Sequence, residues 1–149
     1  MDPVFRHVLV ATDGSLLADK AIQLGLRLGG ESRVTALLVM HDYGLTEYLR
    51  AAVSRRPDAT ELREEILAEA RRLLDEAVAR AVQGDVRIER RVAISEKSPC
   101  HEIVATAERE GCDLIVMSSH GLGGKMAHLI GSQSQGVLSM ASVPVMIVR

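Results

Sequence analysis

Short apolar runs alternate with longer amphipathic stretches along the whole chain. Four of the runs are mainly or wholly apolar, as in strands that are buried on both faces of a parallel sheet, and they cover residues 4–11, 34–40, 113–117 and 143–148. A fifth run, 86–92, alternates apolar and charged residues, which predicts an edge strand with one face in water. The pattern therefore predicts five strands.

Four helices are predicted in the amphipathic stretches. The longest has apolar residues on one face and many Glu and Arg residues on the other, which is typical of a helix with a solvated surface. The stretch from 41 to 57 lacks the helical periodicity of apolar residues, so we expect an irregular crossover there with one helical turn around 47–53. Capping residues and glycines bound the helices, which run from the turn at 12–15 to Gly29, from Asp58 to about Gly84, from Pro99 to about Glu110, and over 133–140.

Strands and helices alternate in the order β-α-β-α-β-α-β-α-β. This order predicts right-handed parallel crossovers and a doubly wound α/β sheet with helices on both faces. The length of 149 residues fits one domain over residues 1–149. Ligands of such sheets bind outside the carboxyl ends of the strands, where the strand order reverses.

Composition narrows the classes of partner. The 18 basic and 20 acidic residues are mixed along the chain, and a formal charge of −2 argues against nucleic acid or an acidic membrane surface. No apolar run approaches the roughly 20 residues that span a bilayer, and the N-terminus lacks a signal sequence, so we expect a cytoplasmic protein. Cys100 and Cys112 do not indicate a disulfide framework, and no second Cys/His pair accompanies Cys100-His101 at zinc-ligand spacing.

Two clusters of small residues flank the connection between the fourth strand and the last helix. The first is Ser118-Ser119-His120-Gly121 and the second is Gly131-Ser132-Gln133-Ser134. Glycine lets backbone N–H groups approach an anion, and the N-terminus of a helix offers unpaired donors. Loops also contain Gly and Ser for turn reasons, so the residues alone leave phosphate binding and an ordinary turn open.

The segment does not match the two commonest phosphate-binding motifs. It has neither the G-x-x-x-x-G-K-[ST] of Walker-type loops nor the G-x-G-x-x-G of dinucleotide-binding folds. It resembles instead the G-x-x-G, nine residues, G-[ST] pattern of nucleotide-binding members of the universal stress protein family. Gly121, nine intervening residues and Gly131-Ser132 reproduce the spacing, while Ser118 replaces the first glycine.

This resemblance extends over essentially the whole chain. Residues 10–15, Val-Ala-Thr-Asp-Gly-Ser, are similar to the family's first-strand motif, and the ending Val143-Pro144-Val145 is characteristic of it. Ser98-Pro99 resembles the start of its third helix, although family members commonly have a Gly before that Pro. The resemblance implies a single-domain, five-stranded parallel sheet of strand order 3-2-1-4-5, similar to the adenine nucleotide alpha hydrolases.

The resemblance also implies that the ligand is ATP, or else AMP or ADP. Asp13 would lie near the ribose or the phosphates, Val39 would present backbone groups to adenine, and Gly121 would flank the phosphates. The helix start at Gly131 would cradle the phosphates, with serine hydroxyls as donors. The nucleotide-binding set carried over in this way is Ala11, Thr12, Asp13, Val39, Met117, Ser118, His120, Gly121, Gly131, Ser132, Gln133 and Ser134.

Asp13 could also cap the following helix or bind a metal ion, and the second role bears on catalysis. An Asp before Gly-Ser often caps the following helix, and this role is compatible with a place in a nucleotide site. Asp13 is also the one evident candidate ligand for a Mg²⁺ ion that accompanies the nucleotide. Phosphate hydrolysis usually needs Mg²⁺ and a group that orients water, and the five histidines form no pattern that indicates a base. We therefore predict at most slow ATP hydrolysis and no dedicated enzyme.

Two other functions compete with a stress-response regulatory protein that binds nucleotide. A phosphoacceptor receiver domain needs an Asp at the end of its third strand and a Lys at the end of its fifth, and this chain has neither. A family member without nucleotide affinity, acting as a dimeric interaction module, stays open because Ser118 stands in a glycine position. The resemblance implies a homodimer through the strand 143–148, whose apolar edge would otherwise invite aggregation, and the sequence identifies no other protein partner.

Overall fold

The computed structural model of the chain describes residues 2–41, 59–120 and 130–149. Strands and helices alternate within these ranges, as the hydrophobic pattern predicts. The predicted helical turn around 47–53 and the predicted helix start at Asp58 lie outside the described residues. The elements are β1 His7–Thr12, α1 Leu16–Gly29, β2 Arg33–His41, α2 Ala59–Ala81, β3 Glu89–Ser95, α3 Pro99–Glu110, β4 Leu114–Ser118, α4 Ser132–Met140 and β5 Val145–Val148.

The strands form one parallel sheet in the order β3-β2-β1-β4-β5. The strand order expected from the resemblance is therefore confirmed. The chain builds β2 and β3 to one side of β1 and then crosses over to place β4 and β5 on the other side. Because the order reverses between β1 and β4, the carboxyl ends of these two strands flank the crevice in which ligands of such sheets bind.

Each face of the sheet has its own core, because successive side chains of a strand point to opposite faces. Val8 and Val10 of β1 belong to the core that includes residues of α1 and α2. Leu9 belongs to the other core, with Ile103 of α3 and Val137 of α4. All three β1 residues are fully buried, which explains why the strand is apolar without interruption. The prediction of helices on both faces is confirmed.

Two glycines let α1 pack directly against the side chains of the sheet. A Cβ atom on Gly25 would stand 2.2 Å from Cγ2 of Val10, and one on Gly29 would stand 2.4 Å from Cγ2 of Val34. Any side chain at either position would push the helix away from β1 and β2. The predicted stop at Gly29 is confirmed, since Gly30 follows it with φ of 54° and its N–H donates to the carbonyl oxygen of Leu26.

Three strands begin two or three residues later than the apolar pattern predicts. β1 begins at His7 instead of Val4, β3 begins at Glu89 instead of Val86, and β5 begins at Val145 instead of Val143. A parallel ladder begins only where the neighbouring strand supplies a partner, and the first pairs here are His7 with Arg33, Thr35 with Glu89, and Ile115 with Val145. Val4 and Val86, outside the ladder, are exposed.

Candidate functional site

A cleft of about 420 Å³ opens at the carboxyl edge of the sheet, above β1, β2 and β4 and against the first turns of α3 and α4. Its position is the one expected for a ligand site where the strand order reverses. The residues that line it are Ala11, Thr12, Asp13, Leu37, Val39, Pro99, Ile103, Met117, Ser118, Ser119, His120, Gly131, Ser132, Gln133 and Ser134.

The structure brings together in this cleft every predicted nucleotide-binding residue that lies in its described ranges. Gly121, the remaining predicted residue, lies outside them. Sequence reasoning missed four lining residues, and one of them carried a usable signal. Leu37 is two positions before Val39 and so shares its face of β2. The other three missed residues are Pro99, Ile103 and Ser119.

The floor of the cleft is a continuous apolar surface. Ala11 of β1 is paired in register with Leu37 on one side and with Met117 on the other. All three are buried, and Val39 and Ile103 extend the apolar lining. This floor has no polar side chain that must be satisfied, so it can take the face of a flat, largely apolar group.

The turn after β1 forms one wall of the cleft and is closed by its own side chains. The Thr12 hydroxyl oxygen accepts a hydrogen bond from the N–H of Gly14 at 3.1 Å, and Asp13 Oδ1 accepts one from the N–H of Ser15 at 2.9 Å. Gly14 adopts φ of 83°, which favours glycine at this point.

The interpretation of Asp13 as the cap of α1 is wrong. Ser15 is the N-cap residue, and its hydroxyl oxygen accepts a hydrogen bond from the N–H of Ala18 at 3.2 Å. The half-buried Asp13 lies two residues earlier, so its carboxylate braces the turn in front of the helix and lines the cleft.

The first turn of α4 faces the cleft without a side-chain cap from any described residue. Gly131 is the N-cap residue, and the first helical bond runs from the N–H of Gln135 to its carbonyl oxygen at 3.0 Å. The N–H groups of Ser132, Gln133 and Ser134 precede that bond and therefore have no acceptor within the helix. Such a helix start is suited to an anion.

Two side chains of this turn form hydrogen bonds to other parts of the chain and fix the position of the turn. The buried Ser134 hydroxyl donates to the carbonyl oxygen of Ser118 at 2.9 Å, with Ser119 O at 3.4 Å. Gln133 Oε1 accepts a hydrogen bond from the N–H of Cys100, in the first turn of α3, at 2.9 Å. The expected role of the Ser134 hydroxyl as a phosphate donor is corrected, because its single proton is already committed. The Ser132 side chain is exposed.

Ser118 fits its position although it replaces a glycine of the motif. It is the last residue of β4 and is paired in register with Val148, so its backbone is extended and any residue type is allowed there. Its hydroxyl donates to the carbonyl oxygen of His120 at 2.8 Å. The Ser119 hydroxyl lies 2.9 Å from Nδ1 of the same histidine. Both serines therefore shape the chain as it leaves the strand.

Comparison with known proteins gives relatives over the full length of the chain. The model of the universal stress protein family matches residues 5–149. Universal stress protein YxiE of Bacillus subtilis is 31% identical over 98% of this chain and 100% of its own. The universal stress protein in the QAH/OAS sulfhydrylase 3′ region of Thermus aquaticus is 32% identical over the same shares.

Solved structures share the fold. MJ0577 of Methanocaldococcus jannaschii superposes with a TM-score of 0.71 at 26% identity, covering 96% of this chain and 94% of its own. A universal stress protein in complex with cAMP has a TM-score of 0.59 at 22% identity and 97% coverage of both chains. One from Archaeoglobus fulgidus in complex with dAMP has a TM-score of 0.56 at 19% identity, covering 99% of this chain and 100% of its own. From the family match over residues 5–149 and the two full-length relatives, the chain belongs to the universal stress protein family.

Proposed function

We propose that this chain binds an adenine nucleotide, ATP or else AMP or ADP, in the cleft between β1 and β4 and acts as a stress-response regulatory protein. One observation carries the proposal. An apolar floor and a helix start that no described side chain caps meet in the same cleft. A nucleotide needs both, because its base is flat and largely apolar while its phosphates are anionic.

The floor is suited to a purine base. The cleft volume of about 420 Å³ falls in the range of roughly 300–1,000 Å³ that is typical of small-molecule sites. Ala11, Leu37 and Met117 offer their apolar surface to the ring. The carboxyl end of β2 at Val39 supplies backbone groups for the polar edge of adenine.

The phosphates would be bound mainly by backbone donors. The described residues that line the cleft include no Lys or Arg. Anion binding would therefore depend on the N–H groups of residues 132–134, on the positive end of the α4 dipole, and on the exposed hydroxyl of Ser132.

Two solved relatives support an adenine nucleotide as the class of ligand. One was determined in complex with cAMP and the other in complex with dAMP. Each ligand combines an adenine ring with a phosphate, and these are the two groups that the floor and the helix start accommodate here.

We propose that any catalysis is at most slow ATP hydrolysis. Asp13 is the only carboxylate among the described residues that line the cleft. The described parts of the chain contain no group of three or more His, Cys, Asp or Glu that could hold a metal ion. Mg²⁺ keeps several waters and binds through one or two carboxylates plus phosphates, so Asp13 would fit as a single protein ligand. A sustained turnover above about 1 s⁻¹, the low end for typical enzymes, would contradict this assignment.

We propose that the protein is cytoplasmic. Within residues 2–41, 59–120 and 130–149, no helix has the length and apolarity needed to cross a membrane. Cys100 and Cys112 are both buried thiols, and burial raises the pKa of Cys112 to about 11. Unpaired cysteines suit a reducing compartment.

Isothermal titration calorimetry with ATP, AMP, adenosine and GTP tests the proposed function. We expect ATP and AMP to bind more tightly than adenosine, because only they carry phosphates, and we expect GTP to bind more weakly than ATP. Mass spectrometry of small molecules released from the purified protein gives an independent result. If no adenine compound binds and none is released, the alternative of a dimeric interaction module without nucleotide affinity replaces the proposal.

A further inference from the structure

The turn that carries Asp13 is held from outside the cleft by a side chain of α2. Arg80, in the last turn of that helix, donates from Nη2 to the carbonyl oxygen of Gly14 at 2.8 Å. Gly14 directly follows Asp13 in the turn. Arg80 is not among the residues that line the cleft, so its contact reaches the turn from behind.

The guanidinium that makes this contact is itself fixed by Asp19 of α1. Arg80 Nε lies 2.9 Å from Oδ2 of Asp19, and Nη2 lies 3.1 Å from Oδ1. The Asp19 side chain is only 12% exposed. A planar guanidinium bound to both oxygens of a carboxylate has one orientation, and in that orientation Nη2 also reaches Gly14.

The carbonyl that Arg80 contacts belongs to the peptide between Gly14 and Ser15. The N–H of that same peptide donates to Asp13 Oδ1, and the N–H of the preceding peptide, that of Gly14, donates to the Thr12 hydroxyl oxygen. The Gly14 carbonyl oxygen has Arg80 as its donor. Arg80 and Asp13 therefore bind the two sides of one peptide, next to a glycine with wide conformational freedom, so Arg80 restrains the peptide to which the Asp13 carboxylate is bonded.

We propose that Arg80 is a positioning residue of the nucleotide site: with Asp19 it fixes the Gly14 peptide and thereby holds Asp13 and Thr12 in the wall of the cleft. The inference rests on the proposed function for its effect on affinity. Its structural half, the ordering of the turn, concerns the protein without ligand and is measured separately.

A second arginine of α2 provides a matched control. Arg72 lies two turns before Arg80 and pairs with Glu69 and Glu76 of the same helix. Its side chain is 55% exposed, and its ion pairs do not reach α1 or the turn. Arg72→Gln therefore removes the same charge from the same helix without touching the Gly14 peptide.

The test combines amide exchange by NMR without nucleotide and calorimetric titration with ATP. In Arg80→Gln we expect faster exchange at Gly14 and Ser15, and a loss of ATP affinity of about 3- to 30-fold, the usual range for residues that act through others. Arg80→Lys keeps the positive charge but lacks the planar guanidinium that binds both carboxylate oxygens, so it should recover only part of the lost ATP affinity. Arg72→Gln should match the wild type in both measurements.

Because Arg80→Gln leaves Asp19 buried without its partner, the double variant Asp19→Asn/Arg80→Gln serves if the single variant does not fold. In an Asp13→Asn background, Arg80→Gln should cost much less affinity, because Arg80 acts through the turn that carries Asp13. A general loss of stability would act equally in both backgrounds.

Unchanged exchange at Gly14 and Ser15 overturns the inference, and so does faster exchange with unchanged ATP affinity. A wild-type protein that binds no nucleotide overturns the proposed function and the affinity half of the inference, and the exchange data then test the structural half by itself.

Discussion

The hydroxyl of Ser134 lies 2.9 Å from the carbonyl oxygen of Ser118 and ties the first turn of α4 to the end of β4. This bond joins two predicted phosphate-binding segments through the protein itself. The two serines at the start of α4 therefore have different tasks. Ser134 is 3% exposed and holds the turn, whereas Ser132 is exposed and has its hydroxyl available at the cleft.

Substitution of the two serines should separate these tasks. Ser134→Ala should lower the free energy of unfolding by about 0.5–1.5 kcal/mol, the net contribution of one hydrogen bond. Ser132→Ala should leave that free energy unchanged but weaken ATP binding by about 1.5–3 kcal/mol, as for a bond to a charged acceptor, without affecting adenosine. Urea unfolding and calorimetry measure both quantities. Equal stability of the two variants would contradict the distinction.

Gly131→Val should abolish ATP binding in a folded protein. A Cβ atom at Gly131 would stand 3.1 Å from the carbonyl oxygen of Ser119, to which the Gly131 N–H donates at 2.7 Å. The residue has φ of −64°, so the backbone tolerates a side chain and the effect comes from crowding at the helix start. Gly131→Ala should show a smaller loss. Circular dichroism checks folding, and unchanged ATP affinity in the Val variant would remove the helix start from the site.

We predict a homodimer through β5. This strand ends the described sheet, pairs there with β4, and leaves Val145, Met146, Ile147 and Val148 partly exposed. Pairing two such edges about a twofold axis would satisfy their backbone groups and cover their side chains. Ile147→Lys should give monomer or aggregate, whereas Val4→Lys, at a residue that is 86% exposed, should change nothing. Light scattering that finds a wild-type monomer at micromolar concentration would rule out the dimer.

Acid should weaken the edge of the sheet at β3. A hydrogen bond from Arg33 lowers the pKa of Glu89 from 4.5 to about 2. Since the folded pKa is the lower one, the stabilisation is complete above about pH 4.5 and is lost as pH falls toward 2. Both side chains are substantially exposed, so the contribution is small and salt reduces it. Urea unfolding between pH 5 and pH 2.5 should show a shallower decline for Glu89→Gln than for the wild type, and identical slopes would contradict this assignment.

The strands and helices could be predicted because each has a local cause. The apolar run around Val8, Leu9 and Val10 indicates a strand that is buried on both faces, whichever residue points to which core. The cap of α1 could not be decided in this way. Asp13 and Ser15 are both good capping residues, and only the positive φ of Gly14 places Ser15 at the helix start.

The cleft was predicted through the resemblance, and its internal contacts were not. Gln133 accepts from the N–H of Cys100, 33 residues earlier, and the Ser134 hydroxyl donates to a carbonyl 16 residues earlier. Partners at such distances depend on how α3, α4 and β4 pack, and no local pattern records them. Leu37 was overlooked because an apolar residue in a buried strand is already explained by the core.

The cleft is assembled from chain segments that begin at Ala11 and end at Ser134, on both sides of the reversal in strand order. It therefore exists only in the folded chain, and a nucleotide that occupies it adds its binding free energy to that of folding, about 2.7 kcal/mol at a free concentration of 100 times Kd. A nucleotide bound there would also span β1 and β4, the two strands at which the halves of the sheet meet. Occupancy would make these halves one cooperative unit, whose amide protons exchange by opening of the whole sheet instead of by separation of β4 and β5 from the rest.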